Sequence, residues 1–102
     1  MENYTFTTKV LTEDLVVLPK YFRVLNTYYM ILDGETYLRI RNHIQELDPM
    51  VGLYPVIERD KIRYSIDHFS VSKKNGEIQP ITEQEFKEVF VKVSLALEAL
   101  MN

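Results

Sequence analysis

Toward the C-terminus the apolar positions recur with a helical period. Phe86, Val89, Phe90, Val93, Ala96, Leu97 and Leu100 fall on one face of a helix of 3.6 residues per turn. Thr82-Glu83-Gln84-Glu85 precedes the run as a capping box, in which the Thr82 hydroxyl accepts the Glu85 N–H and Glu85 reaches back. Ile81 and Phe86 are placed for a hydrophobic staple, and Pro80 lies just outside, where its missing N–H costs no helical bond. Glu83, Glu85 and Glu88 load the positive end of the helix dipole, and Glu83/Lys87 and Glu88/Lys92 are i,i+4 pairs in the favourable order. An amphipathic C-terminal helix is predicted, with Phe86, Phe90, Val93 and Leu97 in the core.

Upstream the period changes to two, and β-branched and aromatic residues alternate with polar ones. Strands are predicted over Tyr4–Val10, Leu15–Leu18, Tyr28–Leu32, Thr36–Arg41, Leu53–Glu58 and Ile62–Val71. Thr12-Glu13-Asp14, Asp33-Gly34-Glu35 and Arg59-Asp60 read as turns between them. Asn75-Gly76 reads as a hairpin turn leading to Ile78, and Pro19 marks a strand end or edge. Pro19–Asn26 has both helical spacing and strand composition, and the composition favours strand. His43–Gly52, with Asp48-Pro49, reads as loop. The expected fold class is α+β: a mostly antiparallel sheet of about five or six strands, with one C-terminal amphipathic helix packed on one face. All of residues 1–102 fit a single domain, since 102 residues are too few for two comfortable cores.

Composition narrows the function classes. The apolar set makes up 46% and charged residues 26%, an ordinary globular balance that argues against disorder. A net charge of −3 offers no field to attract phosphate backbones. The absence of cysteine removes disulfides, thiol catalysis, thiolate zinc sites and iron–sulfur clusters. Met1-Glu2-Asn3-Tyr4-Thr5 lacks the basic and apolar regions of a signal peptide, and no apolar run approaches the ~20 residues of a membrane span, so a cytoplasmic protein without membrane association is expected.

Catalytic chemistry has little to build on. His43 and His68 are the only side chains that ordinarily titrate near neutrality. Asp67 and His68, on adjacent residues of an expected strand, point to opposite faces and cannot pair. No run of carboxylates and histidines has metal-ligand spacing. Gly34, Gly52 and Gly76 are dispersed, so no glycine-rich phosphate cradle forms. No catalytic residue, metal or cofactor is expected, and an enzyme is the less favoured reading.

Two surfaces stand out. A three-residue loop at Asp33-Gly34-Glu35 would put Tyr28, Met30, Leu38 and Ile40 on the core face of the hairpin. Tyr29, Tyr37, Arg39 and Arg41 would then form an Arg/Tyr stripe on the other face. Tyrosine and arginine are enriched at protein-contact hot spots, so the stripe is a candidate partner-binding surface. Without a basic surplus or an RNP-like string it is a poor nucleic-acid platform. On the helix, Val91, Leu95 and Ala99 recur at i, i+4 and i+8 opposite the main apolar face, bordered by Glu88, Lys92 and Glu98. They form a candidate seam for self-association. The leading expectation is a non-enzymatic binding or adaptor protein with an unknown protein partner, with homodimerisation an option. The alternatives are a small-ligand-binding protein or minor enzyme with a tyrosine-lined pocket between sheet and helix, and, third, nucleic-acid binding through the Arg/Tyr face.

Overall fold

A computed structural model describes residues 3–8, 15–41 and 56–100. Among them the strands are β1 (Asn3–Thr7), β2 (Leu15–Pro19), β3 (Tyr21–Val24), β4 (Thr27–Ile31), β5 (Thr36–Arg41), β6 (Val56–Lys61) and β7 (Ile78–Pro80). A 3-10 turn at Ile62–Tyr64 leads into helix α1 (Ile66–Lys74), and helix α2 covers Glu83–Leu100. The expected turn at Thr12-Glu13-Asp14, the loop at His43–Gly52 and the start of the Leu53–Glu58 strand lie outside the described residues.

β3 to β7 form an antiparallel sheet in the order β6-β5-β4-β3-β7, and β1 and β2 pair separately. Tyr29 pairs with Arg39 and Ile31 with Tyr37, while the Leu32 N–H donates to Thr36 O at 3.0 Å. The loop therefore has the three residues Asp33-Gly34-Glu35, and the hairpin faces are those expected. Asp33 Oδ1 accepts the backbone N–H groups of Glu35 at 2.7 Å and Thr36 at 2.9 Å, which holds the turn closed.

The sheet is a middle layer. α2 crosses β4, β5 and β6 on one face, where Phe86, Val93 and Ile81 bury Ile40 together with Tyr21, Tyr28, Met30, Leu38 and Ile57. The other face carries a second core of Phe22, Val24, Tyr29, Ile31 and Tyr37, covered by Ile62, Ile66 and Phe69 from the 3-10 turn and α1 and by Val16 and Leu18 from β2.

The α2 cap forms largely as its sequence predicts. Thr82 Oγ1 accepts the Glu85 N–H at 3.1 Å, and Ile81 and Phe86 are buried in one cluster. Glu85 turns its carboxylate to the Thr82 hydroxyl, 3.4 Å away. Glu83 meets Lys87 at 2.9 Å, whereas Glu88 accepts from Gln84 Nε2 at 3.2 Å. Phe90, expected in the core, is 38% exposed. The buried arc is centred on Phe86 and Val93 and is narrower than the apolar arc, so Phe90 falls on its flank.

Three expectations fail over residues 59–77. Arg59 and Asp60 continue β6 instead of turning, and Ile62–Val71 is helical. The residues that go inward are Ile62, Ile66 and Phe69, spaced by four and three; the alternation of Ile62, Tyr64 and Ile66 mimics a strand. Asn75-Gly76 closes the helix and not a hairpin. The Gly76 N–H donates to Lys73 O at 3.1 Å and the Glu77 N–H to Ser72 O at 2.9 Å, with Gly76 at φ +71°, the bond pair of a Schellman motif.

Candidate protein-contact surfaces

The register places Tyr29, Tyr37, Arg39 and Arg41 on one face of the β4–β5 hairpin, as their alternation requires. They do not make an open stripe. Tyr29 is 5% exposed and Tyr37 is fully buried. Phe22 stacks on Tyr29 with ring centroids 5.0 Å apart, and Phe69 of α1 meets Tyr29 and Tyr37 edge-on at 5.0 Å and 5.7 Å. The Tyr37 hydroxyl shares a 2.7 Å hydrogen bond with Ser65 Oγ at the start of α1. Unexpected helix α1 is the physical reason: its large apolar side chain closes the face that the sequence leaves open.

The two arginines stay at the margin, both half-buried. Arg39 pairs with Glu58 across the β5–β6 register. Burial pushes the Tyr29 hydroxyl above the ordinary tyrosine pKa, and the nearby Arg39 charge opposes part of that shift. The tyrosine pair is covered, and Arg39 carries Glu58 as its counter-ion.

His68 is exposed on α1, its ring 6.0 Å from Phe69, and Asp67 precedes it on the same helix and not on a strand. His43 lies outside the described residues. Among the described residues no three His, Cys, Asp or Glu side chains gather to hold a metal ion. No helix among them is long and apolar enough to cross a membrane. On the α2 side of the sheet Tyr21 packs against Phe86, 5.6 Å between ring centroids. A cavity of about 320 Å³ lies elsewhere, between β1, the β4–β5 turn and the 3-10 turn, where Phe6, Ile62 and Ile66 meet Lys61 and Arg63.

No family model matches the chain, and no curated protein or solved structure resembles it. The functional reading therefore rests on the surfaces themselves.

The outer side of α2 is where exposed apolar groups line up. Val91 is 56% exposed and Leu95 60%, and Ala99 continues the line one turn on. Opposition to the Phe86–Val93 face follows from helical geometry, so these three positions sit where the sequence puts them. Phe90, which periodicity assigned to the core, lies on the flank of the buried arc. Its position beyond one edge of the Phe86–Val93–Leu97 line was the available signal.

Proposed function

We propose that this chain is a non-enzymatic, cytoplasmic protein-binding domain that acts through the outer face of α2, with a second copy of itself as the occupant. The observation that carries the reading is the exposed Val91–Leu95–Ala99 line on a helix whose opposite side packs on the sheet. Apolar side chains packed on both faces of the sheet add support.

Charge favours a two-fold arrangement. Lys87 and Glu98 border the same flank of the exposed line. An antiparallel pair of α2 helices centred between Lys92 and Val93 sets Lys87 against Glu98 of the partner subunit and brings Val91 within one residue of the level of Leu95 of the partner subunit. Lys87 already pairs with Glu83 at 2.9 Å, an exposed contact worth little, so exchanging it costs little. A seam this short gives weak affinity, since association must overcome lost translational and rotational freedom.

Sedimentation equilibrium on the parent and on Leu95→Glu tests the reading. The parent should dimerise with concentration, and the variant should stay monomeric with an unchanged circular dichroism spectrum. A parent that remains monomeric up to millimolar concentration overturns it.

A further inference from the structure

Among the described strands two each carry a proline, and the prolines report which way the strand edges point. In an antiparallel ladder, alternate residues turn both main-chain groups toward one neighbour, and a proline is tolerated only where its nitrogen faces away from the ladder. Pro19 pairs with Asn3 in the β1–β2 ladder, so Pro19 and, two residues earlier, Val17 turn their main chains away from β1. Lys73 agrees, since its Nζ donates to Val17 O at 2.6 Å from outside that pair. In β7 the Ile81 N–H donates to Tyr21 O, which fixes the phase: Pro80 and Ile78 turn their main chains away from β3.

These outward-facing residues share one groove. Val17 and Pro19 of β2 and Ile78 and Pro80 of β7 line a cleft of about 470 Å³, with Asn3 at one end and Lys73 from the last turn of α1. The cleft lies between the edge of the two-stranded sheet and the edge of the five-stranded one. Both edges are unpaired among the described residues. Beyond Lys73 a second depression continues along β2 past Leu15 and Lys74. A strand entering there would find the main-chain groups of Val17 and Ile78, the carbonyls of Pro19 and Pro80, apolar flanks from Val17 and Ile78, and Lys73.

We infer that this groove accepts an extended peptide bearing acidic side chains, which adds as a strand between β2 and β7. Lys73 is the gate and the charge partner. In the free protein its ammonium caps the Val17 carbonyl; the incoming strand takes that carbonyl with a backbone N–H and gives Lys73 a carboxylate in exchange. The prolines limit the edges to short stretches, which keeps the slot from templating open-ended aggregation. The inference is independent of the α2 surface, which lies across the sheet.

The test uses a synthetic peptide alternating glutamate with valine, and its lysine-for-glutamate counterpart, both blocked at their ends. Each is titrated into the isotope-labelled full chain, in the parent and in the Leu95→Glu background so that contacts through α2 do not contribute. The acidic peptide should shift the amides of Val17, Lys73 and Ile78, and the basic one should not bind. Lys73→Gln should weaken the acidic peptide about tenfold, the loss of one charge pair. Val17→Pro removes an N–H that β1 does not use, so the fold should stay intact while binding falls. Equal binding of the two peptides, shifts confined to other surfaces, or indifference to Val17→Pro overturns the inference. Concentration-dependent shifts of those three amides without peptide would overturn it in favour of a second copy in the slot.

Discussion

Phe69 stands edge-on to Tyr29, ring centroids 5.0 Å apart and planes at 84°. That contact turns the second face of the sheet from a surface into a core. Edge-to-face packing sets the positive rim of one ring against the negative face of the other, beyond the burial that both rings contribute. Phe22 and Tyr37 complete the cluster around the same two rings.

Phe69→Ala should therefore be among the most damaging single changes in the chain, destabilising by about 3–5 kcal/mol. Urea unfolding followed by far-UV circular dichroism measures it. A variant within about 1 kcal/mol of the parent would mean that α1 does not seal this face.

On α2, Phe86 and Phe90 should behave differently despite one residue type and one turn of separation. Phe86 is 3% exposed and its loss to alanine should cost about 3–5 kcal/mol, whereas Phe90, 38% exposed, should cost markedly less. Paired chemical melts decide it. Equal losses would place Phe90 in the core.

The Thr82 hydroxyl accepts the Glu85 N–H at 3.1 Å. Thr82→Ala should cost about 1 kcal/mol by leaving that amide without its cap. Thr82→Ser should restore most of the loss, and a denaturant midpoint unchanged in Thr82→Ala would show that the cap contributes nothing.

Leu25 closes the β3–β4 turn at φ +53° and is 73% exposed. A branched side chain in the left-handed region is strained by roughly 1–2 kcal/mol, and glycine gives back part of that gain through its looser unfolded state. Leu25→Gly should therefore raise stability by about 0.5–1 kcal/mol, read as a higher midpoint in urea. A fall would mean that the Leu25 side chain supports the hairpin.

Tyr29 supplies a pH dependence. Its folded pKa is raised, chiefly by burial, so the folded state holds the proton more tightly than the unfolded chain does. The associated stability is fully present below the unfolded tyrosine pKa of about 10 and is lost as pH rises beyond it. Urea midpoints measured from pH 8 to pH 11 should fall more steeply for the parent than for Tyr29→Phe. Parallel curves would remove Tyr29 as the cause.

Local rules alone determine much of this protein. The alternation in Tyr28–Ile31 and Thr36–Arg41 with the Asp33 turn sets hairpin register and faces, because a three-residue loop leaves no other pairing. Thr82-Glu83-Gln84-Glu85 sets where α2 begins, since its cap is made from neighbours in the chain. The exposed line of Val91, Leu95 and Ala99 follows from helical period once the inner face is known. Tertiary structure alone decided the rest. Ile62–Val71 alternates well enough for a strand, and it becomes helical because Ile62, Ile66 and Phe69 together can cover the aromatic face of the sheet. The fate of Tyr29 and Tyr37 depended on that choice, for a side chain's face is set by its own strand but its exposure is set by what packs above it. The slot between β2 and β7 has the same character: each proline marks an edge in the sequence, while only the packing of the two sheets brings those edges to one groove.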